Sequence, residues 1–348
     1  MLSQLSRRAA RQTWRIDRDT FLNYRQPPHL LGYLSVVPRR TMVVKNFKTF
    51  SKKEKLEFLN SFDTVFSDCD GVLWLGSEVI NKAPEVIKGF KEMGKRVFYL
   101  TNNSMKTPDS LSIKFQGMGF EAKKDEVLCT AMLTAQYLKM KGFNKTVYLL
   151  SSTAVKEAIE AVGISTIGHG PDIMPADIIE MKESVDIDPN VGAVVVGYDL
   201  HFSYLKLVKA AAYLSSPDVE FIATNMDPQF PIAGGRLIPG AGSFVTAVEM
   251  ASGRSATVVG KPSTFAFEYV QKAFNMNPKR CLMIGDRCST DIAFGKKTGM
   301  QTLLVLTGVQ TMEHVLQFEK NKELDLVPDY YTSTIADLLE VLHMSNST

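Results

Sequence analysis

From Thr64 to the C-terminus, short runs of consecutive apolar and β-branched residues alternate with longer segments whose apolar positions recur every three to four residues. The first kind predicts strands: TVFSD (64–68), RVFYLT (96–101), TVYLLS (146–151), AVVVG (193–197), EFIAT (220–224), ATVVG (256–260), CLMIG (281–285) and TLLVLT (302–307). The second predicts helices: APEVIKGFKEMG (83–94), DSLSIKFQGMG (109–119), AMLTAQYLKMKG (131–142), TAVKEAIEAVG (153–163), FSYLKLVKAAAYL (202–214), GSFVTAVEMASG (242–253), STFAFEYVQKAF (263–274) and TDIAFGKKTG (290–299). Several of these close on glycine, as helices commonly do. Strands without polar interruption are buried on both faces, and their alternation with helices predicts an α/β fold, a doubly wound parallel sheet of Rossmann-like type. No repeat of fixed period is present.

In such sheets ligands sit in the crevice outside the carboxyl ends of the strands. Polar residues directly after apolar runs are therefore the candidates for chemistry, and four groups qualify. TVFS leads into Asp68 and Asp70, VFYL into Thr101, Asn102, Asn103 and Ser104, TVVG into Lys261, Pro262 and Ser263, and LMIG into Asp286 and Arg287, with Asp291 following. Each group alone has an ordinary explanation as a turn or a helix cap. Their common place at strand ends joins four carboxylates, one lysine and a hydroxyl-rich loop.

Two carboxylates as near as Asp68 and Asp70 repel each other, and burial raises the cost, so the pair should titrate abnormally or gather cations. A calcium loop starting at Asp68 would need an oxygen ligand where Val72 stands, and VLWLG is apolar where such loops are polar. Sparse hard oxygen ligands favour Mg²⁺ that keeps several waters. Such a cation would leave positions for a phosphoryl oxygen, while Lys261 and the Thr101/Asn102 loop could hold the other equatorial oxygens.

Composition narrows the class further. The 348 residues are 45% hydrophobic and 22% charged, with room for two domains, and no apolar run approaches the roughly 20 residues that span a bilayer. The net charge of +3 hides an asymmetry: residues 1–50 carry ten basic and two acidic side chains, whereas the remaining 30 basic and 35 acidic ones sum to −5. The acidic body excludes nucleic acid as an expected partner, and no membrane partner is expected either. Arg7, Arg8, Arg11, Arg15 and Arg18 share one helical face opposite Leu2, Leu5, Ala9 and Ile16, so residues 1–41 read as a mitochondrial targeting peptide or as a basic tail without structure, and Met42 as a second start. Cys69, Cys129, Cys281 and Cys288 form no C-x-x-C pair, which points to a reducing, cytoplasmic setting, mitochondrial if the tail targets. Cys69, between two carboxylates, should be a poor nucleophile, and Cys288 beside Arg287 reads first as a structural residue, with a more reactive thiol as the alternative.

The motifs DCDGVLW, TNNS, GKPS and GDRCSTD together resemble the haloacid dehalogenase superfamily, and within it the branch of 4-nitrophenyl phosphatase, phosphoglycolate phosphatase and pyridoxal phosphatase. The resemblance runs from about Phe62 to Leu342. It implies a Mg²⁺-dependent phosphatase of small phosphate monoesters working through an aspartyl phosphate, with Asp68 as nucleophile and Asp70 as general acid, then base. It further implies Mg²⁺ bound by the Asp68 side chain, the Asp70 carbonyl and Asp286, supported by Asp291. Thr101 would hydrogen-bond the phosphoryl group, Asn102 and Asn103 would line the site, and Lys261 would fix nucleophile and phosphate.

The long interval between Thr101 and Lys261 contains a second set of strands and helices, where this family carries a large α/β cap. The expected division is an extension over 1–60, a core over 61–143 and 255–348, and a cap over 144–254. A closing cap excludes water and favours small substrates. Within it TNMDPQFPIAGGRLIPGAGS resembles the family's specificity loop: Phe230 stands where pyridoxal phosphatases have histidine, while Tyr198 matches that branch. Phosphoglycolate, glycerol phosphate, pyridoxal phosphate and other small esters stay open as substrates, and the resemblance also implies a homodimer through the cap. A phosphate-binding module without catalysis is the competing class.

Overall fold

The structure, a computed structural model, describes residues 44–173, 177, 180, 185–231 and 236–345. Among these, seven parallel strands form the larger sheet, in the order Lys45–Asn46, Tyr330–Thr332, Gln301–Val305, Cys281–Gly285, Thr64–Ser67, Arg96–Thr101 and Val127–Cys129. A second, five-stranded parallel sheet runs Thr257–Val258, Glu220–Ala223, Val191–Val196, Thr146–Leu150 and Thr166–Ile167. All eight apolar runs form strands and all eight periodic segments contain helices, so the doubly wound α/β reading holds, with the second sheet as the cap.

Thr64–Ser67 and Cys281–Gly285 are buried at every position, as strands covered on both faces must be. Phe66 stacks on Phe98 of the neighbouring strand at 5.2 Å and meets Phe267 and Phe294 edge-on from the flanking helices. These contacts fix the strand that delivers Asp68. The chain leaves Thr64–Ser67 toward Arg96–Thr101 on one side and later returns to its other side with Cys281–Gly285. Strand order reverses there, and the crevice at that reversal is the general ligand position of open α/β sheets. Asp68 and Asp286 are the residues that follow these two strands.

The segment 44–60, assigned to the extension by sequence, packs on the core instead. Lys45 and Asn46 pair in parallel with Tyr330 and Tyr331, and Phe47, Phe58 and Leu59 are buried in the main apolar cluster. The intervening helix Lys52–Asn60 starts at a capping box in which Ser51 and Glu54 satisfy each other's backbone N–H groups. Its many lysines and glutamates hide the apolar stripe in a sequence reading. At the far side of the insertion, Thr257–Val258 still pairs with the second sheet, a few residues beyond Arg254. No helix among the described residues is long and apolar enough to cross a membrane. The readings of residues 1–41 and of Met42 lie outside the described residues.

Candidate active site

Asp68 is fixed at the strand reversal by its own backbone, whose N–H donates to the Ile284 carbonyl at 2.9 Å. Its Oδ1 accepts from Lys261 Nζ at 2.6 Å, and the same ammonium donates to the Leu100 carbonyl at 2.9 Å. Asp291 Oδ1 lies 2.7 Å from that nitrogen as an ion pair, yet no well-directed hydrogen bond reaches this fully buried oxygen. Its other oxygen accepts from the backbone N–H groups of Asp286 and Arg287, which closes the GDRCSTD turn. Asp286 in turn is held by the N–H of Val309 on its Oδ2 at 2.8 Å.

Carboxylate oxygens of Asp68, Asp286 and Asp291 lie within 4.8 Å of one another, all three residues buried. Three negative charges face one ammonium. Burial, and then the neighbouring carboxylates Asp291 and Asp286, push the Asp68 carboxyl well up against the pull of Lys261. Burial and Asp291 raise Asp286 to about 6. Lys261 is raised as well: burial alone would lower it, but Asp291 and Asp68 more than reverse that and hold it protonated. The excess negative charge, the poorly satisfied Asp291 oxygen and the all-oxygen donor set fit a small divalent cation such as Mg²⁺.

Close backbone approach shapes the same place. Gly71 has φ +87°, and a Cβ there would sit 2.4 Å from Asp286 Oδ2. A Cβ on Gly308 would come within 1.9 Å of the same atom. Only glycine leaves room for the Asp286 carboxylate between these two loops.

The sequence-named residues do not all serve alike. Asn102 binds the backbone of Lys261 twice, accepting from its N–H at 2.8 Å and donating to its carbonyl at 3.1 Å, which sets the lysine loop beside the TNNS loop. Thr101 Oγ1 accepts from the Asn103 N–H at 3.1 Å, so the threonine's own proton stays available for another acceptor. The Asn103 side chain is turned back on Met105 N–H and shapes its loop. Asp70 stands outside the three-carboxylate group, its Oδ1 accepting from the Trp74 indole at 2.8 Å. Cys288 is fully buried and burial pushes its thiol up to about 12, which agrees with the structural reading of this cysteine and not with a reactive thiol. Burial, with Asp68 and Asp70 adding to it, likewise raises the Cys69 thiol.

Besides the Trp74 bond to Asp70, two further groups of contacts around the candidate site escaped the sequence reading. Thr307, Gly308 and Val309 follow the strand Gln301–Val305 and wrap Asp286, with Thr307 Oγ1 donating to the Gly71 carbonyl. The rule that polar residues after apolar strands are candidates would have found TGV. From the cap, Asp227 pairs with Arg287 at 3.3 Å and is steadied by Asn225 Nδ2 at 2.8 Å. Tyr198 and Phe230 meet edge-on at 5.5 Å, with Phe244 against Tyr198 at 5.9 Å. The loop that carries Phe230 is thus tied through Asp227 to the residue next to Asp286.

The chain is similar to known proteins in both sequence and fold. A family model described as haloacid dehalogenase-like hydrolase matches residues 65–165, and a second, HAD-hydrolase-like model matches 258–338. Rat glycerol-3-phosphate phosphatase is 41% identical over 313 residues, covering 86% of this chain and 96% of its own length. Rat chronophin is 38% identical, covering 82% and 90%. Among solved structures, 4-nitrophenylphosphatase from Thermotoga maritima superposes with a TM-score of 0.68 at 27% identity, over 81% of this chain and 98% of that one.

Proposed function

The chain belongs to the haloacid dehalogenase-like hydrolases and is a phosphatase, and from that premise we propose that it hydrolyses small phosphate monoesters, glycerol phosphate foremost, with Asp68 as nucleophile. The observation that carries this reading is the position of Asp68 at the strand reversal, with Oδ1 held by Lys261 and no hydrogen bond from the described residues on Oδ2. One oxygen is oriented and the other is left to attack phosphorus. Asp68, Asp286 and Asp291, with the Asp70 carbonyl, would hold Mg²⁺, which when bound offsets their charge and polarises a phosphoryl oxygen. Lys261 keeps its proton and offers positive charge to the transferring group, and the Thr101 hydroxyl has a proton to donate to the same group. Asp70 supplies a proton to the departing oxygen and later takes one from water.

Hydrolysis of glycerol 3-phosphate and of 4-nitrophenyl phosphate should both stop on chelation of divalent cations and return with Mg²⁺. Undiminished turnover of either ester after exhaustive chelation contradicts the reading.

Selection among esters falls to the cap. Phe230 offers packing but neither charge nor hydrogen bond, so it cannot strongly favour a substrate that needs a polar partner. Phe230→His should raise kcat/KM for pyridoxal phosphate relative to 4-nitrophenyl phosphate by ~1 kcal/mol, the net worth of one hydrogen bond. An unchanged ratio in the variant shows that Phe230 does not govern selection. The cap also exposes Leu200, Tyr204, Leu237 and Met250, apolar groups that a second copy of the chain would cover. Sedimentation velocity distinguishes the dimer from a monomer.

A further inference from the structure

Trp74 lies in a short strand, Trp74–Leu75, that pairs with Glu78–Val79 directly after the DCDG turn. Its carbonyl accepts from the Gly71 N–H at 2.7 Å, and its indole Nε1 donates to Asp70 Oδ1 at 2.8 Å, so backbone and side chain both bind the tryptophan to that turn. The ring itself is immobilised. Phe115 meets it edge-on at 4.9 Å, Phe120 at 6.0 Å, and only 1% of the residue is exposed. Lys114 Nζ sits 4.1 Å from the ring centroid, close enough for a cation–π contact.

A buried indole N–H needs an acceptor, and a backbone carbonyl would serve that need. Here it takes the side chain of an exposed aspartate, the residue to which the proposed function gives proton transfer. The cation over the ring face draws electron density from the indole and strengthens its N–H as a donor. Burial lowers the lysine's hold on its proton, and the Asp70 charge offsets this only in part.

We propose that Trp74 is the positioning residue for Asp70: its N–H fixes one carboxylate oxygen so that the other is presented to the reacting ester. The inference rests on the acid–base role given to Asp70 above. In the first half-reaction an Asp68 oxygen forms a bond to phosphorus as the ester P–O bond breaks. The electron pair of that bond stays on the ester oxygen, which takes the proton from Asp70 and leaves as the alcohol. In the second half water attacks phosphorus and gives a proton to Asp70, the Asp68 O–P bond breaks with its electrons returning to Asp68, and inorganic phosphate departs. Both proton transfers use the oxygen that the indole leaves free.

Trp74→Phe keeps an aromatic ring between Phe115, Phe120 and Lys114 but has no N–H to donate. The two substrates to compare are glycerol 3-phosphate, whose alkoxide cannot leave without a proton, and 4-nitrophenyl phosphate, whose phenolate can. Because kcat/KM reports only steps through transfer to Asp68, it isolates the half-reaction in which Asp70 acts as acid. Trp74→Phe should lower kcat/KM for glycerol 3-phosphate about tenfold more than for 4-nitrophenyl phosphate, a part of the roughly 10²–10⁴ that a positioned general acid contributes. A merely structural tryptophan would lower both equally, and that result overturns the inference. Asp70→Asn, measured alongside, must show the same preference more strongly. If it shows none, the acid–base reading itself fails and the inference with it; if only Trp74→Phe shows none, the inference alone fails. Should Trp74→Phe not fold, fluorescence decides. The chain has two tryptophans, Trp14 and Trp74, so in a Trp14→Phe background the emission belongs to Trp74. Asp70→Ala, which removes the acceptor, must shift that emission, and an unmoved spectrum overturns the contact.

Discussion

Asp68→Asn loses turnover by roughly 10⁴-fold or more, the scale on which removal of a covalent nucleophile acts, while the variant stays folded. An amide nitrogen carries no electron pair fit to attack phosphorus, so the loss falls on kcat. Stability should move the other way. Asp68 is one of three buried carboxylates facing a single ammonium, and its replacement leaves Lys261 paired with Asp291 at 2.7 Å. In the absence of divalent cation the variant should therefore unfold at a urea concentration equal to or above that of the wild type. Single-turnover assays on 4-nitrophenyl phosphate, run on the same preparation as the urea curve, check both halves. Near-normal activity in a folded Asp68→Asn protein removes the nucleophile from the account.

Lys261→Met should be the converse case, costly to the fold as well as to the chemistry. The methionine fills similar volume but strips the only ammonium found among the described carboxylates of the site, leaving Asp68 and Asp291 buried without compensation. Breaking one partner out of a buried ion pair typically costs about 3–5 kcal/mol. The Leu100 carbonyl also loses its donor, a smaller addition. Urea unfolding without cation measures the loss. Added Mg²⁺ should restore more stability to this variant than to the wild type, because it would supply the charge the lysine no longer does. Equal stability of variant and wild type in chelator would show that Lys261 is not what balances the carboxylates.

Much of the candidate site was legible in the sequence because its main candidate groups follow buried strands. Asp68, Thr101, Lys261 and Asp286 stand immediately after or at the end of apolar runs, and parallel strands deliver such residues to one edge. Periodicity gave the central strands for the same reason: Phe66 and Ile284 sit in runs with no polar interruption. What periodicity missed lies at the margins. Lys45–Asn46 and Tyr330–Thr332 are two and three residues long, too short to carry a pattern, and Phe47 and Phe58 are buried from a segment whose other residues are mostly polar or charged.

Within the site, residue type was legible but partner choice was not. Asn102 and Asn103 are adjacent and chemically identical, yet one clamps the Lys261 backbone and the other turns back on its own loop. The Asp227–Arg287 pair joins positions 60 residues apart across the cap and the core, and the indole bond of Trp74 to Asp70 depends on a hairpin geometry that no local pattern specifies. Such contacts are set by tertiary packing, so only coordinates reveal them.

The central claim is that phosphate passes through Asp68. Mixing the Mg²⁺-supplemented protein with excess 4-nitrophenyl phosphate, quenching in acid within one turnover and weighing the intact chain tests it directly. The expected result is a mass increase of one phosphoryl group, labile to hydroxylamine as an acyl phosphate is, and located by digestion on the peptide that carries Asp68. Turnover accompanied by an unmodified chain, or by a phosphoryl group on any other residue, would contradict it.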